Sequence, residues 1–155
     1  MKFLTQQRKT SKKLSLIYRE TDYSFDTEPH DGSGFTSIMV NDLQLEIDDR
    51  GEIIYVWGLC PLFKYEEINE APENYVSQSL TAILGRPPVP GIAYQLNEKE
   101  RWPIYINKKV GWVCIGNPNT KNKKMIEFVP DCVATLEDQE IIAIWLKPKN
   151  SLKLA

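Results

Sequence analysis

At 155 residues, 42% hydrophobic and 26% charged, the chain has the size and make-up of one ordinary soluble domain. A domain of this length buries roughly 68–70% of the surface its unfolded form exposes, so it needs no disulfide or metal to hold it. Nineteen basic against twenty-one acidic residues leave a net charge of −2, which excludes a generally basic nucleic-acid binder.

Lys2 is not followed by the apolar run of a leader peptide, and no stretch approaches the roughly 18–20 apolar residues of a membrane helix, so a cytoplasmic protein is expected. The three cysteines, Cys60, Cys114 and Cys132, form no CxxC pair, and their odd number leaves one unpaired. Cys114 and Cys132 sit in apolar runs, where a cysteine acts as a small buried hydrophobe; structural thiols in a reducing compartment are expected.

In chain order, residues 1–12 read as a basic arm ahead of a single β-rich domain over 13–155. Strands are expected at 14–19 and 35–40. Leu43, Leu45 and Ile47 then alternate with Gln44, Glu46 and Asp48, a period of two that places the aliphatic residues on one sheet face. Asp49-Arg50-Gly51 is the turn, with Gly51 free to take positive φ, and 52–57 returns as a strand apolar on both faces, hence central.

The only helix candidate is 64–84, broken by Pro72, with one helical turn expected at 65–69. Over 75–84 the alternation favours a strand over a short helix. Gly85 to Gly91 is a proline-rich rigid loop, and a further strand is expected at 92–96. Two more hairpins follow, 104–106 with 112–115 and 132–136 with 141–146; between them 124–129 is a strand stopped by Pro130. About ten short strands separated by turn chemistry predict an all-β domain, mostly antiparallel hairpins, built as a sandwich or partly open barrel with little helix.

Catalytic signatures are weak. The one histidine, His30, stands beside Asp31 and near Ser33, but a triad is defined by geometry across the fold, and Gly32-Ser33-Gly34 lacks the spacing of a nucleophile elbow. No Cys or His pair has metal-ligand spacing, the acids at 22–31 lack the cadence of a calcium loop, and no phosphate-cradling glycine motif occurs. No cofactor and no metal are therefore expected. Of the tryptophans, Trp57, Trp112 and Trp145 lie in apolar strands and read as core, whereas Trp102, between Arg101 and Pro103, reads as the exposed one.

Charge is distributed unevenly. Residues 1–19 carry six basic groups and no acid, whereas residues 20–73 carry fourteen acids against Arg50 and Lys64. Acids gathered on a sheet face would attract a basic partner and repel nucleic acid. The candidate partner-binding residues are Asp26, Glu28, Asp31, Glu46, Asp48, Glu66, Glu67, Glu70, Glu73 and Trp102.

The stretches LQLEIDDRGEIIYVWGLCP (43–61) and FVPDCVATLEDQEIIAIWLKP (128–148) resemble small bacterial immunity-type proteins, which protect a cell from contact-delivered or other polymorphic toxins. The resemblance lies in strand-turn-strand texture and transfers no residue roles. It implies a cytoplasmic, non-enzymatic, stoichiometric inhibitor encoded by a bacterium; joined to the acidic block, the expectation is a cognate toxin domain, basic and nuclease-like, bound through an acidic face, with neither nucleic acid nor membrane as partner. The alternative expectation is a β-sandwich or barrel ligand-binding module, or an enzyme with a loop-built site drawn from His30, Asp31, Arg86 and Trp102.

Overall fold

The computed structural model describes residues 1–8, 13–29 and 32–154; Lys9, Lys12, His30 and Asp31 lie outside the described residues. Among the described residues there is no helix but fourteen strands: β1 (Phe3–Gln7), β2 (Ser15–Arg19), β3 (Ser24–Glu28), β4 (Thr36–Val40), β5 (Leu43–Ile47), β6 (Ile53–Leu59), β7 (Glu66–Glu67), β8 (Val76–Ala82), β9 (Tyr94–Gln95), β10 (Ile104–Asn107), β11 (Trp112–Gly116), β12 (Lys124–Val129), β13 (Cys132–Glu137) and β14 (Glu140–Leu146). They form a large sheet, β1-β8-β12-β13-β14-β11-β10-β7, and a small one, β2-β3-β6-β5-β4-β9. The sheets are mixed, with parallel pairs β7–β10, β8–β12 and β4–β9, and neither closes into a barrel. The chain is an all-β sandwich.

Local chemistry builds the hairpins. Between β5 and β6, Asp48 Oδ1 accepts the amides of Arg50 (2.9 Å) and Glu52 (3.0 Å), and Gly51 takes φ 92° with its α-carbon so near the backbone that an added Cβ would stand 2.9 Å from the Ala82 carbonyl oxygen. Asp138 and Gln139 both adopt positive φ, 50° and 66°, the pattern of a two-residue hairpin loop whose twist matches its strands. β6 is central in its sheet, as its apolar pattern predicts.

Several expectations are corrected. Residues 3–7 of the expected arm are an edge strand of the large sheet, paired along β8 with Phe3 buried in the core. The acid-bearing stretch after β2, where no strand is expected, contains β3; its core side carries Phe25 and a buried threonine, Thr27, whose hydroxyl donates to the Val56 carbonyl at 2.7 Å. A strand whose only aromatic stands between Ser24 and the polar run Asp26-Thr27-Glu28 gives little hydrophobic alternation. The expected helical turn at 65–69 holds β7, and the expected strand at 92–96 shortens to β9.

The main core fills the space between the sheets: Leu16, Phe25, Ile38, Leu43, Leu45, Ile47 and Val56 from the small sheet meet Ile106, Val113, Ile115, Ile126, Phe128 and Ile144 from the large one. A second apolar cluster, Trp112, Cys114, Met125, Val133, Ala143 and Trp145, lies on the outer face of the large sheet. It is covered because the chain between β7, at one edge, and β8, next to the other, crosses that face as a strap. Ile68 and Ala71 pack against the cluster, Asn107 Nδ2 donates to the Glu70 carbonyl at 3.0 Å, and the Tyr75 ring meets Trp112 edge-on at 6.3 Å.

The C-terminal segment blunts the β2 edge. The Lys149 amide donates to the Leu16 carbonyl at 2.8 Å, and the Asn150 side chain bonds both the amide and the carbonyl of Tyr18, at 2.9 and 2.7 Å, in place of a neighbouring strand. All three cysteines are free and buried. Burial pushes the Cys60 thiol up to about 12 and raises those of Cys114 and Cys132; the Tyr18 hydroxyl, donated to the Cys60 carbonyl at 2.9 Å, is likewise pushed up to about 12 by burial.

These folded-state values lie above the ordinary ones of 9.0 for cysteine and 10.0 for tyrosine, so the stabilisation is complete below pH 9.0 and lost as pH rises toward 12. Urea midpoints are therefore expected to hold level up to about pH 9 and then fall. Tyr18→Phe is expected to shrink the fall between pH 10 and 12, and an equal fall in both proteins would contradict the assignment to Tyr18.

Candidate functional site

Among the described residues, the outer face of the small sheet is only partly covered. The strap covers the outer side of the large sheet, whereas on the outer side of the small sheet Arg19 from β2, Asp26 and Glu28 from β3, Trp57 from β6, Gln44 from β5 and Met39 from β4 are exposed or partly exposed, and Tyr55, Glu46 and Ser37 are buried among them. Trp57 is 37% exposed.

The indole is held from below. Its Nε1–H donates to Glu46 Oε1 at 2.9 Å, and the Ser37 hydroxyl donates to the same oxygen at 3.0 Å. Glu46 is itself buried, and Gly34 lies so close against its carboxylate that a Cβ there would collide with the side chain. A charge-assisted bond of this kind is roughly twice as strong as a neutral one and fixes the ring without covering its face. Gly34→Ala is expected to push Glu46 off its two donors and loosen Trp57. Tryptophan emission should become more quenchable by iodide, with a stability loss of about 1–2 kcal/mol in urea unfolding; unchanged quenching would contradict the wedge.

Beside Trp57, Arg19 Nη2 reaches Asp26 Oδ2 at 3.2 Å and pairs with Glu28 Oε1, and the bonds to Asp26 and then Glu28 push the guanidinium further up from its ordinary value. Asp26 Oδ1 also accepts the Thr27 amide at 2.9 Å. Arg19, Asp22, Asp26, Tyr55, Trp57 and Leu59 border a shallow concavity of about 550 Å³. With Asp22, Asp26, Glu28 and Glu46 set against Arg19, this region carries an excess of negative charge around an aromatic floor.

The sequence candidates are thus divided between two places. Asp26, Glu28 and Glu46 come together on the small sheet. Glu66 and Glu67 are on β7, and Glu70 and Glu73 on the strap, across the sandwich; Glu67 is paired with Lys108 at 2.9 Å. Asp48 is occupied in its turn, and Asp31 lies outside the described residues. A single acidic face is therefore not what the fold builds, because the crossover from β6 through β7 carries the second group of acids from one sheet to the other.

Trp102 is also redistributed. Expected to be the exposed indole, it is half-buried against the core, with its backbone amide and carbonyl both bonded by Asn41 at 2.9 and 3.0 Å. Trp57 takes the exposed role instead. The signal for it was present in the alternation, since Gln44, Glu46 and Trp57 share a face once β5 and β6 pair. Arg86 is exposed on the proline-rich loop, away from Trp102's surroundings, and His30 lies outside the described residues. Among the described residues no group of three or more His, Cys, Asp or Glu side chains is placed to hold a metal ion, and no helix is long and apolar enough to cross a membrane. The fold and face define an all-β sandwich with one open, acid-rimmed aromatic sheet surface. No family model, curated protein or solved structure matches the chain.

Proposed function

We propose that this chain is a binding protein of the bacterial immunity type, which neutralises a basic, nuclease-like toxin domain by covering it with the outer face of the small sheet. The observation that carries the reading is Trp57, partly exposed yet held by buried Glu46, beside Asp22, Asp26 and Glu28. Exposed indoles that are already ordered bind at low entropic cost and dominate interface energetics. The surrounding carboxylates match the cationic clefts with which nucleases draw in phosphate backbones.

The test is co-expression with a basic toxin domain from the same genome, together with binding measured on the purified pair. Wild-type chain is expected to restore growth. Trp57→Ala is expected to weaken binding by at least about 30-fold, which corresponds to the ~2 kcal/mol of an interface hot spot. Rescue and affinity both unchanged by Trp57→Ala would remove the face from the proposal.

A further inference from the structure

A second hollow meets the acid-rimmed concavity at Leu59 and is otherwise lined by different residues. Between the start of β5, the end of β6 and the start of β10 lies a cavity of about 560 Å³. Its walls are apolar: Leu43 and Leu59 from the small sheet, Ile104 and Ile115 from the large one, and the rings of Phe63 and Trp102. This volume lies in the ~300–1,000 Å³ range of sites that enclose small organic ligands.

The walls are set in advance. Asn41 spends its side chain on the Trp102 backbone, at 2.9 and 3.0 Å, and on Asn97 Nδ2 at 2.6 Å. The Trp102 ring is in turn pressed against Gly116, where an added Cβ would lie 2.9 Å from ring atom Cε3. On the opposite side the Cys60 carbonyl is held by the Tyr18 hydroxyl. Phe63 is 75% exposed and stands at the rim, its ring meeting Tyr23 edge-on at 4.7 Å. A large exposed aromatic beside a preformed apolar hollow is what a ligand would cover.

Charge selects the ligand. The ionisable side chains with formal charge that line the cavity are Lys64, Arg101 and Glu66. Arg101 holds Asp42 at 3.0 Å, outside the lining, and keeps its remaining donors exposed to solvent; Lys64 is exposed at the mouth. With Asp42 counted, two cations meet two acids, so a negative head group is selected by the charge-assisted donors of Lys64 and those of Arg101 that Asp42 leaves free at the mouth of the apolar hollow. We propose that this cavity binds a small amphipathic organic anion, its apolar body between Leu59, Phe63, Ile104 and Trp102 and its carboxylate or sulfonate at Lys64 and Arg101.

The test uses matched probes on the full chain: decanoate, decan-1-ol and decyltrimethylammonium below their aggregation limits, and 2-naphthoate against 2-naphthol. Binding is followed by calorimetry and tryptophan fluorescence. At least one carboxylate is expected to bind saturably with one site per chain, at least tenfold more tightly than its neutral partner and more tightly than the cation. Lys64→Ala with Arg101→Ala is expected to erase that preference, and Leu59→Trp, which fills the hollow from its exposed rim, to abolish binding; thermal unfolding checks that each variant is folded. No saturable binding of either carboxylate would overturn the proposal. So would equal affinity for acid and neutral partner, or carboxylate binding that survives Leu59→Trp in a folded protein. The probe comparisons on the unaltered chain and on Lys64→Ala with Arg101→Ala leave the small-sheet face intact, and Trp57→Ala tests that face separately; Leu59 alone borders both hollows.

Discussion

Trp145→Ala is expected to lower stability by about 3–5 kcal/mol, the range for removing a fully buried aromatic side chain. Trp145 has no exposed surface, and its Nε1–H donates to Thr135 Oγ1 at 3.0 Å. Unlike the residues between the sheets, it faces away from the partner sheet and is sealed only by its cluster and the strap that bears Ile68 and Ala71. Truncation opens a void under that strap and leaves a buried threonine hydroxyl without its donor.

The strap should therefore loosen together with the loss of stability. Limited proteolysis in the 68–75 segment is expected to accelerate in Trp145→Ala well before the hairpins of the large sheet become cleavable. Trp145→Phe keeps most of the volume and should cost less, with the hydroxyl's lost partner, common to both variants, contributing about 1 kcal/mol of the loss that remains. A urea-unfolding loss below about 1 kcal/mol for the alanine variant would mean that the second cluster contributes nothing to the cooperative unit.

The second large effect concerns the rate at which a basic partner arrives. Asp22→Lys, Asp26→Lys and Glu28→Lys together reverse the charge around the Trp57 concavity and turn Arg19 from a neutralised group into one of four neighbouring cations. The field that would draw a cationic cleft then repels it. Association with a basic toxin is expected to slow by ~10–10³-fold at low salt. The difference from wild type should narrow as added salt shortens the screening length below about 10 Å. Dissociation, governed by the central indole and its packing, should change less. Stopped-flow association at two ionic strengths reads this directly; a rate unaffected at either strength would show that the acids take no part in steering. Asp22 and Glu28 are exposed and Asp26 is partly buried, so the triple variant is expected to lose the weak Arg19 pairs and the Asp26 bond to the Thr27 amide, the latter about 1 kcal/mol, which a urea-unfolding control reads.

Legibility in the sequence followed hydrophobic content. β4, β5, β6, β11, β12, β13 and β14 each carry several aliphatic or aromatic residues in alternating or continuous runs, and each was predicted close to its observed bounds. β3 was missed because Thr27 fills its core position by a hydrogen bond to the Val56 backbone, which no hydrophobic pattern reveals. β1 was taken for an arm because its pairing with β8 joins residues 3–7 to residues 78–82, and only its single buried phenylalanine hints at this. β7 and β9 are two residues each, held by parallel pairing to distant strands, and have no local signal.

The candidate site was half legible. The acids of the small sheet could be placed on one face from the spacing of Gln44, Glu46 and Asp48, but Glu46 turned out to be a buried brace under Trp57 rather than an exposed contact. The four glutamates between 66 and 73 were close in sequence to the others, yet the chain had changed sheets before reaching them.

By itself, then, the sequence determined the all-β class, the hairpins with their turn residues, and the fate of the cysteines as buried thiols. Those properties depend on side-chain alternation and on backbone conformations that neighbours within a few residues impose. Only the tertiary structure decided which sheet face stays open, where the strap crosses, and which tryptophan meets solvent. Each of those depends on contacts between residues far apart in the chain, and the residues flanking Trp57 and Trp102 do not record that one faces outward while the other is clamped by Asn41.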